Sequence, residues 1–376
     1  MKLEPFELER MQSEWEHQVD INLTESGVQP LSIMDLVPDA SERTKLLEAP
    51  LGYVQTNGSV ELRGIIANLY NSDDPEQVVV TNGGAEANFL CTWSLLHEQP
   101  GSDEFVIMLP NYMQIHGIVR ALGKKAKPFY LKQEKDSWVP DIEGLKEVVS
   151  KKTAAIAICN PNNPTGAILD RHCLQAIADI AADAEVWVLS DEIYQGAEQG
   201  GNQSESFYAL HDKVLITNSL SKAYGLPGLR LGWIASNVPG FSNTLWAYSD
   251  YTTICPTKLS DRLARAALQP EMRSKILERT RRIVGEHWAT LKDWLDERAD
   301  IFSYVPPRAA AICFIHHRLP ISSMDLVMRL LKERSLLLVP GEHFGMPEYL
   351  RIGFGYSADK LREGLRRFDE IIKDVS

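Results

Sequence analysis

Between about residues 78 and 236, short apolar runs alternate with stretches of helical periodicity. The runs are Val78-Val79-Val80, Phe105-Val106-Ile107-Met108, Ala154-Ala155-Ile156-Ala157-Ile158, Val186-Trp187-Val188-Leu189 and Val214-Leu215-Ile216. Nearly unbroken hydrophobicity over so few residues predicts strands covered on both faces, because a half-exposed strand would alternate with polar positions. Segments 86–97, 115–122 and 174–182 carry the helical repeat between them. The pattern predicts an α/β fold with a mostly parallel central sheet.

The texture changes after about residue 259. A charged helical pattern runs over 260–300 with a break at Pro270, followed by strand-like 310–315, helical 324–333, strand-like 336–339 and 350–354, and a closing helix from 358. We therefore expect an N-terminal arm (1–45) packing with a small domain, a large domain (46–258), and a smaller α+β domain (259–376). A helix is expected over about 5–18, packed on the small domain or reaching to a partner subunit.

Polar or glycine-rich residues follow each buried run directly: Thr81-Asn82-Gly83-Gly84, Pro110-Asn111-Tyr112, 160–166, Ser190-Asp191-Glu192 and 219–222. Ligands of open α/β sheets bind beyond the carboxyl ends of strands, so these clusters are expected to converge on one site. Lys222 stands after a buried strand, between Ser221 and a glycine-rich turn, which favours covalent capture of an aldehyde cofactor over a solvated surface role. Ser219 and Arg230 suit a phosphate, although Arg230 alone reads equally as an ion-pair partner. Asp191 suits a pyridine nitrogen that must stay protonated, or else a helix N-cap.

Tyr194 can donate to a phenolate oxygen, or serve as a core tyrosine. Asn163, in a turn stiffened by Pro161 and Pro164, can reach the same oxygen. Gly84 and Ala85 open a helix whose backbone N–H groups can approach a phosphate. Tyr112 can stack on a ring or fill the core. Arg351 is a charge inside an apolar strand and needs an anion, either a substrate carboxylate or an internal acid.

Composition narrows the classes. The 376 residues carry a formal net charge of −12, against a general nucleic-acid binder and compatible with a cationic substrate. Five cysteines at wide spacings, with no C-x-x-C pair, argue against a disulfide scaffold or a zinc or other metal site. No apolar run approaches membrane-spanning length and the first residues are acidic, so a soluble cytoplasmic protein without a membrane partner is expected. G-x-G-x-x-G does not occur in the 219–233 segment, which disfavours a nicotinamide site there.

Taken together, the clusters resemble the fold type I, pyridoxal 5'-phosphate-dependent class I/II aminotransferases. They occur in family order: Tyr53…Gly58…Glu61-Leu62-Arg63, Thr81 to Ala85, Pro110-Asn111-Tyr112, 160–166, Asp191 to Tyr194, 219–232 and Arg351. The resemblance implies Lys222 and Asp191 as catalytic residues and a homodimer with its active site at the interface. It also implies that Tyr53 touches the cofactor phosphate of the other subunit, and that Gly27 lies by the substrate carboxylate. Ser26-Gly27-Val28, 221–230, Asp250-Tyr251-Thr252-Thr253 and Val339-Pro340-Gly341…Phe344-Gly345…Arg351 are similar to a narrower group, capreomycidine synthase and its relatives, which cyclise hydroxylated arginines. That similarity implies cyclodehydration, with γ-hydroxy-L-arginine to L-enduracididine the expected reaction and ordinary transamination with a keto-acid acceptor the alternative. Glu9 and Thr24 are the expected contacts for the guanidinium; otherwise they are a solvated helix face and a turn. Lys222 is expected to act as acid and base at a pKa lowered by burial and a nearby cationic ring.

Overall fold

The structure is a computed structural model describing residues 4–99, 101–200 and 202–375. Residues 1–3 of the expected arm lie outside the described residues. All five apolar runs are strands, Val78–Thr81, Glu104–Leu109, Thr153–Cys159, Trp187–Asp191 and Val214–Ser219. They lie in one eight-stranded sheet. Lys125–Glu134, Glu104–Leu109, Thr153–Cys159, Trp187–Asp191 and Val214–Ser219 run parallel in that spatial order.

Three strands of the sheet have no counterpart in the apolar runs. Lys125–Glu134 and its antiparallel partner Ser137–Pro140 form an edge with Lys125, Lys132 and Glu134 exposed, so its sequence is not continuously apolar. Gly232–Ser236 runs antiparallel between Val214–Ser219 and Val78–Thr81. Gly232 must be glycine there. A Cβ would lie 2.6 Å from Gly83 C and 2.8 Å from both Gly84 N and Asn218 O. The close approach brings the turn after the first strand against the end of the lysine-bearing strand.

The helices Gly84–His97, Gln114–Ala121 and Arg171–Asp183 cover the sheet as expected. Both faces are apolar cores: Val80, Ile156, Val188 and Ile216 on one side, Val79, Ala155, Leu189 and Leu215 on the other. Successive residues thus point to opposite buried faces, which is why the runs are continuous rather than alternating.

A second core joins the four-stranded antiparallel sheet containing Phe302–Tyr304, Ile312–His317, Val339–Pro340 and Tyr349–Gly353 to the helices Ser323–Arg334 and Ala358–Val375. Packing crosses the expected boundary at 259. Leu263, Ala264, Ala267 and Leu268 of Lys258–Leu268, and Ile276 and Leu277 of Pro270–Asp296, pack in the large core. The second core takes over from Val284 within that same long helix. The arm also serves both bodies: Ile21, Leu23 and Val28 enter the smaller core, whereas Leu8 and Leu36 enter the larger. Helix Glu7–Trp15 thereby lies across the carboxyl ends of the parallel strands. Among the described residues, no helix is long and apolar enough to cross a membrane.

Candidate active site

The clusters do converge. A cavity of about 350 Å³ is lined by Gly84, Ala85, Tyr112, Asn163, Asp191, Tyr194, Lys222, Arg230 and Arg351, with helix Glu7–Trp15 supplying Glu9, Gln12 and Ser13. Most of the large-domain residues stand at or just beyond the carboxyl end of a strand, where the backbone leaves the sheet, and Arg230 stands just before strand Gly232–Ser236.

One end of the cavity is built for an anion. Helix Gly84–His97 has Gly83 at its N-cap, with φ of +97° and no side chain to take the first amides. Arg230, itself in the left-handed region at φ 46°, brings its guanidinium so close that a Cβ on Gly83 would lie 2.8 Å from Nη2. Arg230 Nη1 donates to Pro227 O at 3.0 Å, leaving other donors for a phosphate. Ser219 is fully buried one layer behind, its Oγ accepting from Ser221 N–H at 3.1 Å.

The floor holds an unpaired acid. Asp191 is buried, accepts from Asn88 Nδ2 at 2.9 Å and from Ile193 N–H at 3.2 Å, and among the described residues has no cation within ion-pair distance. Thr217 Oγ1 donates to Asn88 Oδ1 at 2.7 Å, which fixes the amide so that its NH2 faces the carboxylate. Burial raises the Asp191 pKa above the ordinary carboxylate value, only partly opposed by Asn88. A protonated ring nitrogen is the partner such a group lacks. Asn88 went unremarked in the sequence because it sits mid-helix, five residues past Gly83.

Arg351 holds the other end. It is buried, donates from Nη1 to Asn163 Oδ1 at 2.8 Å and from Nη2 to Thr24 O at 2.6 Å, and its Nε has no partner. Among the described residues no carboxylate lies within ion-pair distance, so the internal acid that would satisfy it is not there. Asn163 Nδ2 donates to Tyr194 OH at 3.1 Å, and Tyr194 OH donates to Ser26 Oγ at 2.9 Å. A buried guanidinium with an unfilled donor fits a substrate carboxylate.

Lys222 Nζ lies 3.5 Å from Glu25 Oε2. Burial pulls the amine's pKa down, but Glu25 and Tyr194 outweigh it, so the net shift is upward. The expected lowering rests on burial together with a cationic ring; burial alone acts downward here, and Glu25, which the sequence did not place beside the amine, outweighs it with Tyr194. Glu25 is correspondingly held below the usual carboxylate range, chiefly by Lys222. Gly27 packs on the same lysine, a Cβ there lying 3.5 Å from Lys222 Cδ.

The two expected guanidinium contacts part company. Glu9 lines the cavity and accepts from Tyr112 OH at 2.7 Å. Thr24 does not line it: its hydroxyl accepts from Gln12 Nε2 at 2.8 Å and donates to Asn22 Oδ1 at 2.7 Å, and only its carbonyl reaches the site, through Arg351. Tyr53 is 85% exposed and outside its own chain's cavity.

Comparison with known proteins follows the same lines. The family description "Aminotransferase class I and II" matches residues 22–368. The chain belongs to the aminotransferase class I and II family. Members of this family use pyridoxal 5'-phosphate, and the anion cradle, buried acid and lysine fit that cofactor. The aspartate aminotransferase of Bacillus subtilis (strain 168) is 28% identical over 354 residues, 90% of this chain and 88% of its own. Capreomycidine synthase of Streptomyces vinaceus is 29% identical over 315 residues, covering 83% and 79%. A pyridoxal phosphate-dependent aminotransferase from Streptococcus suis 89-1591 superposes with a TM-score of 0.91 at 31% identity, over 100% of this chain and 99% of that one. The pyridoxal phosphate-dependent cyclase OrfR shares the fold, with a TM-score of 0.89 at 24% identity and coverage of 100% and 99%. Among aminotransferases of this family the fold is type I, with its mostly parallel central sheet.

Proposed function

We propose that this enzyme cyclises a hydroxylated L-arginine, converting γ-hydroxy-L-arginine to L-enduracididine with loss of one water. The observation that carries the proposal is the distribution of charge in the cavity. Its cations are Lys222, Arg230 and Arg351, facing the positions of an aldehyde, a phosphate and an α-carboxylate. What remains to face a substrate side chain includes the carboxylates of Glu9, Glu16 and Glu25. An acidic side chain such as that of aspartate would meet like charge there, whereas a guanidinium would meet complementary charge and planar acceptors.

Bound pyridoxal 5'-phosphate supplies a sink for the electron pair left at Cα. Arg351 fixes the α-carboxylate with its donor fork, and Asn163 and Tyr194 hold that arginine and the ring oxygen in register. Asp191 keeps the ring nitrogen protonated. Lys222 Nζ takes the Cα proton and later returns it. The Cβ proton and the γ-hydroxyl leave together as water when the Cγ–O bond breaks. A guanidine nitrogen then forms the new bond to Cγ, closing a five-membered ring; the N–H proton it sheds balances the one returned to Cβ, and Lys222 returns the proton to Cα. No amino acceptor is consumed.

The enzyme acts as a homodimer in this account, with Tyr53 of each chain reaching the cofactor phosphate of the other. Support comes from the high exposure of Tyr53 and of its neighbour Leu51. The test of the reaction is incubation of the purified holoenzyme with γ-hydroxy-L-arginine in the absence of any keto acid. Cyclic product under these conditions supports the proposal. Turnover that begins only when a keto acid is added contradicts it and assigns conventional transamination.

A further inference from the structure

The orientation of the buried Asn88 amide is set by a backbone carbonyl one helical turn before it. Ala85 O can only accept, so Gln114 turns its NH2 toward it, and Nε2 donates there at 2.9 Å. Gln114 Oε1 is thereby left to accept, and Asn88 Nδ2 donates to it at 3.3 Å. The Asn88 NH2 therefore faces Gln114 and Asp191 Oδ2, the latter at 2.9 Å, and its Oδ1 accepts from Thr217 Oγ1 at 2.7 Å. Thr217 is buried and pairs in register with Asp191 across the adjacent strands Val214–Ser219 and Trp187–Asp191. Two donors reach the Asp191 carboxylate, Asn88 Nδ2 and Ile193 N–H, and only the first is a side chain. The titratable groups that face Asp191 from the surrounding elements are Cys91, Cys159, Tyr112 and Glu192. Burial pushes both thiols and the tyrosine well up, so they stay uncharged, and none of the four is a cation.

A pyridine nitrogen opposite Asp191 gives one proton two sites. With the proton on nitrogen the pair is ionic, carboxylate against ring cation; with the proton on oxygen both partners are neutral. Burial favours the neutral pair, because it spares the desolvation of two charges. A donor aimed at the carboxylate favours the ionic one. Resting on the assignment of Asp191 to the ring nitrogen made above, we infer that Asn88, turned by Gln114 and Thr217, is the positioning residue that keeps this proton on the ring and the negative charge on Asp191. The ring draws electrons from Cα most strongly as the cation, so Asn88 sets the strength of that sink through Asp191. Thr217 acts one step further back, since its hydroxyl holds the amide oxygen away from the carboxylate.

The test is the ¹⁵N chemical shift of the ring nitrogen in holoenzyme loaded with ¹⁵N-labelled pyridoxal 5'-phosphate, which separates the protonated from the neutral ring. In the wild type the signal should lie toward the protonated position. Asn88→Ala should move the proton balance about 10- to 100-fold toward the neutral pair, the effect of losing a hydrogen bond to a charged group. Thr217→Val removes only the hydroxyl behind the amide and should move the signal the same way by less, whereas Thr217→Ser keeps the hydroxyl and should keep the signal. A second reading needs no cofactor. In the apoprotein the ¹³C-carboxyl signal of Asp191, identified by its loss in Asp191→Asn, should titrate at higher pH in Asn88→Ala than in wild type. A ring signal moved by Asp191→Asn but by neither Asn88→Ala nor Thr217→Val overturns the inference, as does an Asp191 titration unchanged in Asn88→Ala. A ring signal that Asp191→Asn leaves in place overturns the assignment of Asp191 itself, so the two failures are told apart. Whether the substrate is cyclised or transaminated enters neither reading.

Discussion

Asn163 accepts a hydrogen bond from Arg351 at 2.8 Å across a sequence separation of 188 residues. One amide thus ties the second, smaller core to the turn after strand Thr153–Cys159 of the large sheet. Its NH2 reaches Tyr194 at the same time, so the groups proposed to face a substrate carboxylate and the ring oxygen share one support. Arg351→Lys keeps the charge but loses the planar fork and cannot span both Asn163 and Thr24. We expect the KM for the amino acid to rise about 10- to 100-fold, an effect of the size seen for lost charge-assisted bonds, with kcat falling less. Steady-state kinetics separate the two; an unchanged KM would remove the carboxylate assignment.

Lys222→Ala should abolish covalent retention of pyridoxal 5'-phosphate after borohydride reduction while leaving the far-ultraviolet circular dichroism intact. Cα proton exchange should fall by about 10²- to 10⁴-fold, the usual contribution of a general acid–base group. Mass spectrometry of the reduced protein checks it. Cofactor mass still attached in the variant would mean that another amine carries it.

Asp191 gives a pH-dependent prediction for the cofactor-free protein. Its folded pKa is raised above 3.8 by burial, so the folded state holds the proton more tightly than the unfolded chain. The associated stability is fully present below pH 3.8 and is lost as pH rises through the folded value. Asp191→Asn removes that loss. At pH 7 the variant apoprotein should be more stable than wild type, with the gap closing in acid. Cofactor affinity should move the opposite way. Denaturant titrations at several pH values read the first effect, and a variant less stable than wild type at pH 7 would mean the carboxylate is satisfied in some other way.

Gly232→Ala probes the anion cradle through the backbone. Its new methyl would press on Gly83, Gly84 and Asn218, none of which is a flexible side chain end. Overpacking at such a point costs about 1–3 kcal/mol, and the displaced Gly83–Gly84 turn should weaken cofactor binding as well. Thermal unfolding with and without pyridoxal 5'-phosphate measures both, since a cofactor that binds only the folded state adds a concentration-dependent gain that the variant should lose in part.

The central sheet was legible because its strands are buried on both faces and each ends in a polar cluster; Lys222, Asp191 and Asn163 were read that way, and Arg351 as a charge inside an apolar strand. Gly232–Ser236 was not, since its glycine and tryptophan read as part of the lysine motif. The packing of helix Pro270–Asp296 in both cores was also hidden, because its pattern continues without a break. Within the site, Asn88 escaped, and Ser26 and Glu25 were met in the sequence only beside Gly27, without their partners. The contacts of the three are with residues 103, 168 and 197 positions away, which nothing local marks. Thr24 turns its hydroxyl to Gln12 and Asn22, whereas its neighbour Glu25 lines the cavity.

The measurement that tests the central claim most directly is the mass and deuterium content of product formed from γ-hydroxy-L-arginine in deuterated water without a keto acid. Cyclodehydration predicts a cyclic amino acid lighter than the substrate by one water, before label is counted, carrying deuterium at Cα and Cβ. Recovery of the corresponding keto acid, or label at Cα alone with the hydroxyl retained, would contradict it.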